Sequence, residues 1–332
     1  MLNNKVILIT GGTGSFGHKF TERIFNKYNP RKIIIYSRDE YKQYLMQKRY
    51  TPYLERMRFL IGDVRDGDRL HRAFEGVDVV IHAAALKHVP AMEYNPIEAV
   101  KTNIHGAENV INAALDRQVK KVIALSTDKS VHPVNLYGAT KMVSDKLFVH
   151  ANAFRGFKDI SFSVVRYGNV AGSKGSVIPY FKSLLEKGEQ ELPITHPDMT
   201  RFWISLDEGV NLVFTAIKKA KGTEIFVARI PSFKVTDLAE AMAPDAKLAE
   251  VGPRAGEKIH EIMITKEDSR KSFDYGDYYI IYPQVDWWSK EHHFTGGGKA
   301  VAPDFEYSSD TNDRWLQVEE IKKLMKKIDV VY

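Results

Sequence analysis

The sequence predicts an α/β fold, a doubly wound parallel sheet followed by a smaller C-terminal α/β unit. Three observations predict it. Short, continuously apolar runs alternate with helical stretches from the N-terminus to about residue 170. A glycine-rich string, Gly11-Gly12-Thr13-Gly14-Ser15-Phe16-Gly17, lies directly between the first apolar run and the first helical stretch. After about residue 172 the alternation stops, and loops marked by proline and glycine separate shorter segments. The expected division is residues 1–170 as a dinucleotide-binding domain and 171–332 mainly as a substrate domain, with 203–220 returning to the first.

The elements follow in order. Residues 5–10 read as a buried strand. The glycines after it permit a tight turn, close approach of backbone to a pyrophosphate, and close packing of the helix that runs to about residue 26. Gly11, Thr13, Gly14, Ser15, Phe16 and Gly17 are therefore expected to hold a dinucleotide. Residues 32–36 form the second strand, whose tip reads the adenosine ribose. It ends in Ser37-Arg38-Asp39-Glu40, and a guanidinium there pairs with a 2′-phosphate, which favours NADP. Stacking of Arg38 on adenine is the alternative. Lys42 and Gln43 are placed with this cofactor-binding group. Residues 57–61, the third strand, bring Asp63 and Val64 to the adenine. Residues 79–82, the fourth, run into Ala83 and Ala84, small enough for the chain to pass under the dinucleotide. Lys87 follows within reach of cofactor or substrate, and His88 is as well read as structural. Asn95-Pro96 opens a helix expected to reach about residue 117, which serves a dimer interface or simple burial. Residues 120–125 and 160–167 are the fifth and sixth strands.

In the C-terminal half, residues 178–188, 206–220, 234–242 and 315–327 read as helices and 224–229 as a strand. Residues 193–200 read as a loop. So do 284–301, which hold Gly296-Gly297-Gly298. The turn Gly252-Pro253-Arg254-Ala255-Gly256-Glu257-Lys258 offers Arg254 as a phosphate clamp, or is a solvated basic loop.

Composition bounds the function. The chain has 332 residues, 44% of them hydrophobic, and a formal net charge of +6. That is enough for a sizeable core. No apolar run of about 18 residues predicts a membrane span. The first residues lead into a strand without a signal peptide and cysteine is absent, which points to the cytoplasm and excludes disulfides and thiolate metal sites. Basic residues are interspersed with acids and form no stripe, so nucleic acid is not expected; polyanionic small ligands account for part of the charge. The histidines lack metal-ligand spacing, His292 and His293 being adjacent, and no metal is expected. No Gly-x-Ser-x-Gly elbow is present.

The chemistry gathers after the fifth strand, in Leu125-Ser126-Thr127-Asp128-Lys129, and on the helix read over residues 135–150. Tyr137 and Lys141 lie four apart and share one face of that helix. A lysine ammonium beside a phenol is expected to draw its pKa below about 10, so that Tyr137 can exchange a proton with a sugar hydroxyl. Asp128 and Lys129 add one acid and one potential base at the carboxyl end of the strand, where open α/β sheets place ligands.

These strings resemble the extended short-chain dehydrogenase/reductases, a Rossmann-type superfamily. The matching residues are Thr10 to Gly17, Asp63-Val64, His82-Ala83-Ala84-Ala85, Asn103, Ser126-Thr127, Tyr137 with Lys141, and Arg166-Tyr167-Gly168-Asn169-Val170. Narrower strings resemble the inverting UDP-N-acetylglucosamine 4,6-dehydratases of pseudaminic acid biosynthesis. They are Ser37 to Glu40, Leu86-Lys87-His88-Val89-Pro90, Thr127-Asp128-Lys129, Met199-Thr200-Arg201-Phe202-Trp203-Ile204 and Arg254 to Lys258. Retaining 4,6-dehydratases carry Asp-Glu after the threonine, whereas Lys129 stands at the Glu position here. The resemblance implies a bound NADP, a UDP-N-acetylhexosamine substrate and a homo-oligomer, dimer or hexamer. It implies Tyr137, assisted by Lys141, as the C4 base, Lys129 for the C5 proton and Asp128 as the acid for water loss at C6. For Lys129 it implies some time spent neutral, favoured by burial and nearby cations and opposed by Asp128. Lys87, Asn169, Val177, Arg254 and Glu257 are implied as substrate contacts, to which Arg201 is added. A 4-epimerase would need Tyr137 and Lys141 without the Asp128–Lys129 pair. A retaining dehydratase and a non-catalytic NADP-binding sensor are the other rivals.

Overall fold

Valine and isoleucine dominate the strands at the centre because those strands are covered on both faces and have no polar side. The computed structural model describes residues 1–173, 176–285, 287–288 and 296–328. Its first six strands are β1 (Val6–Thr10), β2 (Lys32–Ser37), β3 (Met57–Ile61), β4 (Val79–His82), β5 (Lys121–Thr127) and β6 (Ser161–Tyr167). The others are β7 (Asn169–Val170), β8 (Glu191–Ile194), β9 (Thr200–Ile204), β10 (Ile225–Ala228), β11 (Ser232–Lys234), β12 (Lys247–Glu250), β13 (Ile262–Ile264), β14 (Ser272–Asp274), β15 (Tyr278–Ile281), β16 (Lys299–Ala300) and β17 (Tyr307–Ser308). Ten of them form one sheet in the order β3-β2-β1-β4-β5-β6-β10-β15-β14-β16. It is parallel from β3 to β10 and antiparallel beyond. Strand order reverses between β1 and β4, the switch point at which such sheets open a crevice for ligands. The fold class is the doubly wound one that the sequence predicts.

Helix α1 (Ser15–Lys27) follows β1, α2 (Glu40–Arg49) follows β2 and α3 (Gly67–Ala73) follows β3. The stretch read as one helix over residues 95–117 is divided. After α4 (Val89–Tyr94) come α5 (Pro96–Val100), a π turn over Lys101–His105, and α6 (Gly106–Asp116). Asn103, inside the π turn, accepts from the Leu86 N–H at 2.8 Å and donates to the Leu86 carbonyl at 2.9 Å and the Thr140 hydroxyl at 3.0 Å. The local widening turns this side chain out of the helix and onto the segment after β4. Helix α7 (Leu136–His150) begins where the sequence predicts, with Asn135 as its cap.

Beyond β6, short elements build a second lobe. Helix α8 (Val177–Glu186) precedes β8, which pairs with β12; β9 lies between β7 and β11, and β13 pairs with β17. These two-to-five-residue strands lack the length at which periodicity is readable in sequence. Helix α9 (Leu206–Lys219) runs back to the main sheet and packs on α1. The Phe20 and Phe214 rings pack there in a tilted pair, 5.1 Å between centroids, and Arg23 meets Asp207 at 2.8 Å. The C-terminal half also contributes β10, β14, β15 and β16 to the large sheet. The terminal helix is shorter than expected, Val318–Met325, because Trp315 bridges to Ser232 and Leu316 N–H bonds the Ser232 carbonyl. Within the predicted 284–301 loop, residues 286 and 289–295, including His292 and His293, lie outside the described residues. No described helix is long and apolar enough to cross a membrane.

Helix α9 starts on a reciprocal cap. The Ser205 hydroxyl accepts from Glu208 N–H, and the Glu208 carboxylate accepts from Ser205 N–H. Ser205→Ala is expected to cost about 1 kcal/mol, read as a lowered melting temperature with an unchanged far-ultraviolet circular dichroism spectrum.

Candidate active site

Strand β5 ends in a single 3₁₀ turn, Asp128–Ser130, capped by the Thr127 hydroxyl, which accepts from Lys129 N–H at 3.3 Å. Helix α7 lies against this turn with no space to spare. A β-carbon at Gly138 would stand 2.0 Å from the Lys129 carbonyl oxygen. Asn135 sets the angle of approach: its side-chain oxygen accepts from Gly138 N–H at 2.8 Å, and its amide donates to the Gly256 carbonyl at 2.7 Å. Tyr137 is thereby held beside Thr127, Asp128 and Lys129.

The phenol of Tyr137 is not poised low. Burial pushes its pKa up to about 12, against the Lys129 charge and a Thr127 hydrogen bond that favour the phenolate. Lys141, four residues on, is itself fully buried, and burial lowers its pKa against the opposing pull of Asp145. The expectation that Lys141 draws Tyr137 below 10 is therefore corrected: desolvation outweighs every cation near the phenol, and the cation that acts on it most is Lys129. Beneath α7, Asp145 accepts from Ser126 at 2.6 Å and Ser130 at 3.1 Å and pairs with Arg166 at 3.5 Å.

Asp128 and Lys129 meet at 3.1 Å. Asp128 is 0% exposed, and one of its carboxylate oxygens has no hydrogen-bond partner among the described residues. Burial raises its pKa despite the adjacent Lys129, and the nearby Glu261 raises it further. Burial works to lower the Lys129 ammonium, but Asp128 and Glu261 together hold it above the ordinary lysine range. The resting form of Lys129 is thus the ammonium, and the time spent neutral that the resemblance implies is not the resting state. Glu261, immediately before β13, was not foreseen. It stands 3.0 Å from Lys129 Nζ, which also contacts Asp128 at 3.1 Å. Nothing in the string around it marks it; only folding brings it to a turn far earlier in the chain.

At the other end of the crevice, α1 begins at Gly14 with no side-chain cap, which leaves its first-turn N–H groups for a ligand. Gly11, at φ +65°, passes so close to Ala84 that a β-carbon would lie 2.9 Å from its backbone, and one at Gly17 would lie 2.1 Å from the Gly12 carbonyl. This uncapped helix end, walled by Ala83 and Ala84, fits a dinucleotide pyrophosphate, with Thr13, Ser15 and Phe16 on its rim. Ser37 ends β2. The exposed Arg38 guanidinium lies 3.7 Å from Asp63, whose carboxyl is held low by Arg65 and Arg38 against burial. Asp39 caps α2 and pairs with Lys42 at 2.9 Å, and Glu40 opens that helix. Gln43 is a strut: its buried amide donates to the Ser37 carbonyl and hydroxyl and to the Leu60 carbonyl, each at 3.0 Å. Val64 is packed in the core. His82, neutral with its pKa lowered to about 3 by burial and Lys141, bonds Thr10 at 2.9 Å under the crevice.

The substrate-side candidates fall into two groups. Lys87 stands exposed at the rim, with surrounding protein and Lys129 holding its pKa down. Asn169 on β7 keeps a buried side-chain oxygen without a partner among the described residues, Val177 opens α8, and Arg254 is exposed. Arg201 is otherwise engaged. Its guanidinium donates to the carbonyls of Thr200, Lys258 and Ile259 at 2.7–2.9 Å and approaches Glu257 at 3.7 Å. These bonds tie Arg201 to the segment that carries Glu257 and Lys258. Glu257 accepts from Thr195 at 3.2 Å and Arg254 N–H at 3.3 Å. Among the described residues no three His, Asp or Glu side chains gather in a way that could hold a metal.

The raised phenol gives an expected outcome. In nucleotide-free protein, the difference between wild-type and Tyr137→Phe absorbance at 295 nm shows no ionisation step below about pH 10. A step near pH 7–8 would contradict the burial argument.

The polysaccharide biosynthesis protein family matches residues 7–283 of this chain. A UDP-N-acetylglucosamine 4,6-dehydratase (inverting) from Campylobacter jejuni subsp. jejuni serotype O:2 is 53% identical over 330 residues, covering 98% of both chains. A UDP-glucose 4-epimerase from Rickettsia canadensis is 41% identical, covering 100% of this chain and 98% of its own. The X-ray structure of Pen from Bacillus thuringiensis superposes with a TM-score of 0.90 at 35% identity, covering 100% of both chains. With a glycine-rich cofactor crevice, a Tyr137–Lys141 helix face and full-length similarity to a sugar-nucleotide dehydratase, the chain belongs to the polysaccharide biosynthesis protein family, among the extended short-chain dehydrogenase/reductases.

Proposed function

We propose that the protein is a UDP-N-acetylglucosamine 4,6-dehydratase of the inverting type. The observation that carries this reading is the contact of the buried Asp128 with the half-buried Lys129, 3.1 Å apart and beside Tyr137. Oxidation and reduction at C4 need only Tyr137 and Lys141, whereas elimination of water needs an acid and a base together. Similarity to the inverting dehydratase at 53% identity, against 41% for the epimerase, supports the same choice.

When bound, the nicotinamide dinucleotide supplies the two-electron oxidation at C4 and returns the electrons at C6. The glycine loop and the N-terminus of α1 would hold its pyrophosphate. Ser37 and Arg38 would meet a 2′-phosphate, which is our reason for NADP. Tyr137 must first give up its own proton; as the phenolate, which the Lys129 charge and the Thr127 hydrogen bond favour, it takes the C4 hydroxyl proton, assisted by Lys141. The 4-ketone makes the C5 proton acidic. At rest Lys129 is an ammonium and Asp128 the more readily protonated carboxylate, so passage of one proton across their 3.1 Å contact creates an amine and a carboxylic acid at once. The amine takes the C5 proton, the acid gives its proton to the departing C6 oxygen, and the ion pair is restored as water leaves. Inversion then requires a proton on C5 from the opposite face, and Lys129 and Tyr137 are the carriers the site offers. Lys87, Asn169, Val177, Arg254 and Glu257 are our candidates for substrate contacts, Arg254 toward the diphosphate. The enzyme would act in the cytoplasm as a homo-oligomer.

The test is proton NMR with UDP-N-acetylglucosamine in heavy water. A 4-keto-6-deoxy product with deuterium at C5 and L-arabino couplings is expected. A D-xylo product at the earliest times would mean retention, and a galacto product without water loss would mean the epimerase. Lys129→Ala and Asp128→Asn are each expected to lose at least about a hundredfold in turnover while keeping the nucleotide bound.

The cofactor choice has its own test. Arg38→Ala is expected to weaken NADP binding by about tenfold or more and leave NAD binding nearly unchanged, by calorimetry. Equal loss for both nucleotides would assign Arg38 to adenine stacking.

A further inference from the structure

Glu261 is 2% exposed, yet carries a carboxylate. One oxygen lies 3.0 Å from Lys129 Nζ and 3.9 Å from Arg201 Nε. The other lies 3.7 Å from Lys258 Nζ and has no hydrogen-bond partner among the described residues. The residue is mounted rigidly at the start of β13. Its N–H donates to the Ser309 hydroxyl at 2.9 Å, and its carbonyl accepts from Ser309 N–H at 2.8 Å. A carboxylate buried this deeply is costly unless cations and hydrogen bonds offset it, and a plain structural tie would be met as well by a neutral amide.

The two carboxylates that flank Lys129 differ. Asp128, in the reading above, gains and loses a proton in each turnover. Glu261 does not, because Lys129, Arg201 and Lys258 together hold its carboxyl low against burial. Lys129 Nζ thus contacts both a carboxylate whose charge changes and one whose charge stays. Without the second, protonation of Asp128 would leave the amine free to turn away from the substrate, and the ammonium formed on taking up the C5 proton would have no counter-charge until Asp128 gave its proton up.

Resting on the dehydratase reading, we propose that Glu261 is a positioning residue for proton transfer at C5. It anchors Lys129 Nζ and stabilises the ammonium as the C5–H bond breaks and the N–H bond forms. The C5–H electron pair moves into the bond to C6 as the C6–O bond opens, and Asp128 supplies the proton that makes the departing group water. The other charged and titratable groups that face Lys129 are Asp128 on its own turn, Tyr137 on α7, Lys87 after β4, Arg201 on β9 and Lys258 before β13. The negative charge of Glu261 is the one among them supplied from the second lobe.

The experiment labels lysine Cε with carbon-13 in the nucleotide-bound protein and assigns Lys129 by loss of its resonance in Lys129→Met. In Glu261→Gln the Lys129 titration is expected to fall by at least about one pH unit, and in Glu261→Asp to return most of the way. In parallel, Glu261→Gln is expected to lose at least about tenfold in kcat with KM within about threefold, and the alkaline limb of kcat moves to lower pH with the resonance. Glu261→Asp keeps the charge and regains part of the rate, which also covers a Gln variant that folds poorly. An unchanged Lys129 titration in Glu261→Gln overturns the proposal whatever reaction the protein catalyses. A shifted titration with wild-type kcat overturns its catalytic half. Absence of a 4-keto-6-deoxy product from the wild-type protein removes the dehydratase reading instead, and the titration still decides whether Glu261 anchors Lys129.

Discussion

The contact of Gly138 with the Lys129 carbonyl is the constraint on which the rest of the site depends. Any β-carbon there would overlap backbone at 2.0 Å, so α7 can approach the end of β5 this closely only through a glycine. That approach puts Tyr137, one residue earlier, against the 3₁₀ turn bearing Asp128 and Lys129. It also brings Asn135 to the Gly256 carbonyl, which ties the 252–258 turn to the mouth of the crevice. One close contact thus sets three distances: phenol to turn, turn to second lobe, and second lobe to helix cap.

Charges buried on both sides of that contact make the site a polar core within an apolar one. Below α7, Asp145 gathers Ser126, Ser130 and Arg166, and its field opposes the desolvation of Lys141. Above it, Asp128, Lys129, Glu261, Lys258 and Arg201 form a cluster whose contacts each join opposite charges. Burying such groups singly would cost several kcal/mol each, and their mutual pairing makes the arrangement tolerable. The pairing also polarises the site: at neutral pH the phenol is protonated and Lys129 cationic, so the resting protein is poised to receive substrate rather than already activated.

Local signals in the sequence carried most of the first lobe. Continuous apolar runs and a glycine string at a strand–helix junction are properties of neighbours in the chain, and the strands they mark lie within one or two residues of their expected ends. The start of α7 and Tyr137 with Lys141 on one helix face are equally local. What was hidden depends on contacts across the fold. The π turn follows from Asn103 reaching Leu86 and Thr140. Gln43 became a strut because the space beneath Ser37 needed donors. Glu261 gained its place only when β13 was laid against the turn after β5. The pKa of Tyr137 was misread for a related reason: the i,i+4 spacing shows which charge is adjacent, while burial, which outweighs it here, belongs to the folded chain.

In the proposed reaction the two lobes divide the chemistry between them. The parallel sheet and α7 supply what oxidation and reduction at a carbinol require, a crevice at the switch point and a phenol beside a lysine. In the proposed reaction, Asp128 and Lys129 are the residues that would turn the ketone toward loss of water rather than simple reduction. A lysine at 129 is a cation where a glutamate would be an anion, and a half-buried cation next to Asp128 needs a further negative charge to be stable. Glu261, fixed by Ser309 and flanked by Arg201 and Lys258, provides it from the second lobe. The identity of residue 129 and the placement of residue 261 are thus two halves of one electrostatic solution, and a change at either alone would leave a buried charge without its partner.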